Sequence, residues 1–210
     1  MFIYQKNDCL RTELKALFDL NLFPSSFDFA EEAFDTGSPD AINLWIGDER
    51  SVSSMHKDHY ENLFYILSGE KVFTVCPPAD SPFLHEKEFE SGNFCQKGCE
   101  NTPQWIVEAD VKRDETTSTS VASKETAQTV RWIEPDLENV MPQHDLAQTE
   151  ACSSYLEQYP MLKFAHPQKI ILSEGDMLYL PSLWYHQVTQ TCETVAVNYW
   201  CVCFDSERST

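Results

Sequence analysis

A histidine and a carboxylate stand two residues apart in His56-Lys57-Asp58, and a further histidine, His186, follows some 130 residues later. In an extended segment side chains alternate between faces, so His56 and Asp58 point the same way while Lys57 points the other. Two imidazoles and one carboxylate on one face of an octahedral ion leave three positions open, the donor set that suits non-haem Fe(II). His-x-Asp alone is a short and common pattern. Its surroundings give it weight.

His186 sits in GDMLYLPSLWYHQV (175–188), after a glycine turn, an apolar run and a proline. Lys71 follows the His56 motif in HKDHYENLFYILSGEK (56–71). A lysine buried in a barrel needs an anionic partner, and beside a metal that partner would be the distal carboxylate of a dicarboxylate. His59, His85, His144 and His166 are read as surface or supporting histidines, with His59 the nearest to the motif. Asn198 and Trp200 share strand parity, so both can face an interior, and an Asn in an apolar β-run needs partners for its amide. The turn at 190–193 is expected to fold them back beside His186.

The elements that must position these residues are mostly strands. AINLWIG (41–47) reads as a buried strand, and 63–67 with 71–75 as two arms of a hairpin around Gly69. KIILS (169–173) and MLYL (177–180) bracket a turn at 174–176, and 185–189 and 194–202 bracket another at 190–193. FIY (2–4) reads as a short strand. The spacing predicts helices over 10–20, 27–34 and 153–159, the last ended by Pro160. The stretch 92–130 is polar and close to low complexity, and is expected to be an insertion with a mobile loop in its middle. Short strands joined by tight turns point to a small barrel or sandwich within one domain spanning 1–210.

Composition narrows the function. With 34 acidic against 15 basic residues the net charge is −19, which opposes direct nucleic-acid or anionic-membrane binding and suits a basic polypeptide. There is no membrane-length apolar run and no secretory leader, so a cytoplasmic or nuclear location is expected. The eight cysteines contain no C-x2-C pair, so structural zinc is not expected and the thiols are read as reduced.

The ordered motifs HKDHYENLFYILSGEK…PP, GDMLYLP…W-x-H and VNYW together resemble the jumonji-C family of Fe(II)- and 2-oxoglutarate-dependent oxygenases. The likeness runs from about Phe2 to Phe204, without the family's region ahead of Phe2 and with 92–130 as an addition. The resemblance implies a mainly β, double-stranded β-helix (cupin-like, jelly-roll) barrel with a few flanking helices. It implies that His56, Asp58 and His186 are the iron ligands and catalytic centre. Lys71 and Ser53 would then hold the C5 carboxylate of 2-oxoglutarate, with Tyr4 helping. Asn62, Asn198 and Trp200 would line the pocket. Cofactors would be Fe(II), 2-oxoglutarate and O2.

The activity that the resemblance implies is hydroxylation of a lysine in a basic protein segment, as on translation-associated GTPases, by a possible homodimer. Two alternatives stand beside it. One is N-methyl demethylation of lysine or arginine, for which Tyr60, Tyr65, Tyr179 and Trp184 are available as a methyl-lysine cage. The other is a cupin-like interaction protein whose turnover is impaired by the absent N-terminal region.

Overall fold

The computed structural model describes residues 8–35, 37–98, 104–112, 126–139 and 150–202. Tyr4 and the short strand expected at 2–4 lie outside these, as does His144. The chain forms two compact units, Met1–His85 with Pro135–Thr210, and Glu86–Glu134.

The first unit carries β1 (Ala41–Gly47), β2 (Ser53–Lys57), β3 (Tyr60–Ser68) and β4 (Glu70–Cys76). The second carries β5 (Glu86–Glu90), β6 (Gly92–Lys97), β7 (Gln104–Ala109), β8 (Val111–Lys112), β9 (Thr126–Ala127) and β10 (Thr129–Ile133). The first unit then resumes with β11 (Gln168–Ser173), β12 (Met177–Leu180), β13 (Tyr185–Gln190) and β14 (Thr194–Val202). Its strands form two antiparallel four-stranded sheets, ordered β1-β14-β3-β12 and β11-β4-β13-β2. Along β1 to β4 and again along β11 to β14, each strand lies in the opposite sheet from the one before it. This is the double-stranded β-helix of a cupin, mainly β with a few helices.

That alternation corrects two expectations. The segments flanking Gly69 are not a hydrogen-bonded hairpin, because β3 pairs with β12 and β14 whereas β4 pairs with β11 and β13. Likewise β13 and β14 do not lie side by side, so Asn198 and Trp200 belong to the sheet opposite His186. A hairpin partner lies about 4.8 Å away, whereas a facing sheet lies about 10 Å away, so these turns are corners. Gly69 (φ +84°) and Gly175 (φ +90°) take the left-handed backbone such corners need.

The register sorts the side chains. Phe64, Ile66 and Ala196 of one sheet pack with Phe73, Val75 and Leu172 of the other, and the Phe64 and Phe73 rings meet edge-on at 5.0 Å. On β3 and β14 the even-numbered residues therefore face the interior, as do Lys71, Phe73 and Val75 on β4. The outer face of the β1-β14-β3-β12 sheet is covered by a second apolar cluster of Cys9, Leu10, Ala30, Ile42, Leu63, Val197 and Tyr199. Burial on both faces explains the near-continuous apolar runs of β3 and β4.

The first two helices are shorter than their periodicity predicts, and the third begins earlier. α1 is only Lys15–Phe18, because Leu10 is tied to the edge of β1 through its N–H to the Ile42 carbonyl. α2 spans Asp28–Phe34 and α3 spans Glu150–Gln158. In the second unit, β5 pairs with β10, β6 with β7 and β8 with β9, so paired strands lie towards both ends of the polar stretch 92–130. The centre of that stretch, 113–125, is outside the described residues. No helix among the described residues is long and apolar enough to cross a membrane.

Candidate metal centre

β2 and β13 are neighbours, and their register sets His56 opposite His186. The two rings lie 4.2 Å apart between centroids. Asp58, just beyond the end of β2, brings its Oδ2 to 3.6 Å from His186 Nε2 and 3.9 Å from His56 Nε2. Its carbonyl accepts the N–H of Leu183, which holds a left-handed φ of 66° before the His186 strand. All three donor atoms lie within 4.8 Å of one another, and among the described residues this is the one such grouping of His, Cys, Asp and Glu.

The donors suit a cation. His56 Nδ1 contacts the Ser54 carbonyl at 2.7 Å, and His186 Nδ1 the Trp184 carbonyl at 3.1 Å. A carbonyl can only accept, so each Nδ1 carries a proton, and the neutral tautomer these partners favour is the one that ligates through Nε2. Burial, and then the neighbouring His56, push His186 down to about 3, so it is a neutral ligand at ordinary pH. Burial raises Asp58, with His56 and His59 pulling it back.

A bulge completes the strand. His186 faces His56, but Val188 faces Ser53, so β2 carries one extra residue between them. In a regular strand, residues three apart point to opposite faces; here Ser53 and His56 share the interior face. On the outer face, Lys57 Nζ donates to the Tyr185 hydroxyl at 2.8 Å, and that hydroxyl donates to Ser81 Oγ at 2.9 Å. These bonds tie the two ligand strands in the register that pairs the histidines.

Lys71 is in the interior, 5% exposed, and burial lowers its ammonium to about 8. On the facing sheet, Trp45 Nε1 donates to Asn198 Oδ1 at 2.8 Å and Asn198 Nδ2 to Asn62 Oδ1 at 3.0 Å. Trp200 stacks on Tyr60 with centroids 5.2 Å apart. Among the described residues its indole Nε1 and Asn43 Nδ2 are buried donors without a partner, so this wall still offers N–H groups to an acceptor.

Sequence reasoning missed Asn43, Trp45 and Gln190. The signal lay in parity: Asn43 and Trp45 pair with Asn198 and Ala196, and Gln190 follows His186 and Val188 at intervals of two. The aromatics considered for a cage do not converge. Tyr60 lies against Trp200, whereas the odd-numbered Tyr65 and Tyr179 are on the outer face, Tyr179 against Phe34 and bonded to Glu61. His166 is held by buried Asp80, and His85 Nε2 accepts the Met161 N–H. The described cysteines are free thiols, and burial pushes Cys76 up to about 12.

Comparison with known proteins agrees with this geometry. A family described as the cupin-like domain matches residues 2–206. "JmjC domain-containing protein E" of Dictyostelium discoideum is 34% identical over 208 residues, 95% of this chain and 52% of that protein. "Lysine-specific demethylase JMJ32" of Arabidopsis thaliana is 34% identical over 206 residues, 95% of this chain and 51% of that protein. The human "Bifunctional peptidase and (3S)-lysyl hydroxylase JMJD7" is 35% identical over 162 residues, 77% of this chain and 42% of that protein. The chain thus spans about half the length of the curated relatives it matches. With this fold, the chain belongs to the cupin-like domain family, and the relatives it resembles include JmjC-domain proteins.

Proposed function

We propose that this chain is an Fe(II)- and 2-oxoglutarate-dependent oxygenase that hydroxylates a lysine side chain presented by a basic protein segment. The observation that carries the reading is the convergence of two imidazole nitrogens and one carboxylate in a barrel that also buries a lysine with no acidic partner among the described residues. Two relatives bear lysine-directed names, a hydroxylase and a demethylase, which supports lysine as the target class. The net charge of −19 favours a cationic partner.

His56, Asp58 and His186 would hold Fe(II), which with 2-oxoglutarate and O2 supplies the oxidising power to convert a C–H bond to C–OH with release of succinate and CO2. The Ser54 and Trp184 carbonyls hold the two imidazoles in the ligating tautomer. Lys71 is the cation for the distal carboxylate of 2-oxoglutarate, with the Ser53 hydroxyl and Tyr4 as its companions in the proposal. Asn62, Asn198 and Trp200 form the opposite wall, and their amides and indole fix the cosubstrate's orientation. Cytoplasm and nucleus are the proposed locations, where basic substrates such as translation-associated GTPases would be met. A homodimer is the proposed assembly.

Hydroxylation is preferred to demethylation because Tyr65 and Tyr179 face away from the interior, so the four aromatics considered form no cage for a methylated ammonium. The test is turnover of 2-oxoglutarate by the purified chain with Fe(II), ascorbate and lysine-rich proteins, read by succinate release and mass spectrometry. The expected result is one oxygen atom gained on a lysine, lost in His56→Ala and Asp58→Ala. Loss of methyl groups would make the chain a demethylase. Metal and 2-oxoglutarate binding without turnover on any substrate would make it a binding module.

A further inference from the structure

Lys71 lies opposite Gln190 in the β4–β13 ladder, two inward-facing pairs along from Val75 and His186. Its Nζ donates to Gln190 Oε1. The amide of Gln190 is fixed at its other end, because Nε2 donates to the Asp48 carbonyl in the turn after β1. That bond assigns the amide orientation and leaves Oε1 facing the lysine. Gln190 is 5% exposed, so water does not compete for it. Gly47 makes room for this arrangement: a Cβ there would lie 2.5 Å from Gln190 Nε2 and 2.5 Å from Ser51 Oγ. Among the described residues, no carboxylate is in ion-pair contact with Lys71.

We propose that Gln190 is a positioning and specificity-determining residue, a neutral acceptor that orients the Lys71 ammonium without cancelling its charge. This rests on the oxygenase reading above, in which Lys71 meets the distal carboxylate of 2-oxoglutarate. An ammonium has three donors; Gln190 takes one and leaves two, with the whole charge, for the ligand. A carboxylate in the same place would hold Lys71 equally well but would form an internal ion pair that the incoming carboxylate must break. The amide thereby makes the pocket selective for an anion at that end, and Gly47 and the Asp48 carbonyl are the backbone features that keep it there.

The test uses the full chain loaded with Mn(II), with 2-oxoglutarate affinity measured by calorimetry and KM and kcat by turnover with Fe(II). Gln190→Glu is expected to weaken 2-oxoglutarate binding at least about tenfold, the scale of a hydrogen bond to a charged group, with the loss in KM and much less in kcat. Gln190→Met keeps the volume and adds no charge, and is expected to weaken binding about three- to tenfold through loss of orientation. Mn(II) affinity, set by His56, Asp58 and His186, reports whether each variant is folded. If Gln190→Glu fails that check, Gln190→Met decides. Wild-type affinity in the folded variants would overturn the proposal and leave the oxygenase reading standing. A wild-type chain that binds Mn(II) but no 2-oxoglutarate would overturn both.

Discussion

Lys71 carries a charge that the fold itself does not neutralise, and this has consequences for both stability and binding. Its folded pKa is lowered by burial to about 8 from an unfolded value of 10.5. Between these values the unfolded chain holds a proton that the folded chain lacks, so this group makes the apo protein more stable as pH rises from about 8 to 10.5. Affinity for 2-oxoglutarate should run the other way, falling above about pH 8 as the ammonium deprotonates. Lys71→Met should therefore stabilise the apo fold, by about 1–3 kcal/mol at neutral pH, while abolishing 2-oxoglutarate binding. Chemical denaturation and calorimetry on the same variant check both halves. At this scale the triad is legible in the sequence, because a spacing of two in an extended segment is already a statement about geometry. Gln190 and Asn43 are not, since their roles depend on which strand lies opposite, and that is set by pairing across more than 100 residues.

The elements show the same division between local and long-range information. Strand existence is legible for 41–47, 169–173, 177–180 and 194–202, since apolar runs bounded by turn residues are local signals. The partners of those strands are not, because Ser68-Gly69 and Glu174-Gly175-Asp176 read like hairpin turns yet act as corners between sheets. The bulge in β2 is equally hidden, although it decides whether Ser53 and His56 share a face. The two corner glycines differ in a measurable way. At Gly69 a Cβ would fall on the Glu193 carbonyl oxygen, well inside contact distance, whereas at Gly175 nothing lies within 4 Å. Gly175→Ala should cost only the left-handed backbone penalty, about 1–2 kcal/mol. Gly69→Ala carries that penalty plus the steric term and should be clearly the more destabilised of the two in urea or thermal unfolding.

At the level of the whole molecule, charge is the most transferable observation. An acidic excess of 19 acts over a distance set by ionic strength, with a Debye length of about 10 Å at 0.1 M salt. If the substrate is a basic protein segment, its KM should rise steeply with added salt, chiefly through slower association, whereas the KM for 2-oxoglutarate, on the proposed binding inside the barrel, should change much less. Steady-state kinetics at several salt concentrations separate the two, and equal salt sensitivity would argue against a cationic partner. Mainly β architecture is legible from the sequence at this scale. The hairpins within 92–130, such as β6–β7, are not, because their alternation is too weak to stand out from loop.

β2, which supplies His56 and leads directly into Asp58, is the last strand in its sheet and pairs only with β13 among the described residues. An outermost strand presents unpaired backbone groups and is the easiest to peel away. An ion bridging His56 and Asp58 to His186 would rivet that strand to its single neighbour. Metal occupancy would then be a structural fastener as well as part of the proposed catalytic centre. Chelation should speed amide hydrogen exchange first at 53–57, ahead of the central strands β4 and β14, and the stripped protein should be the form that self-associates through its freed margin.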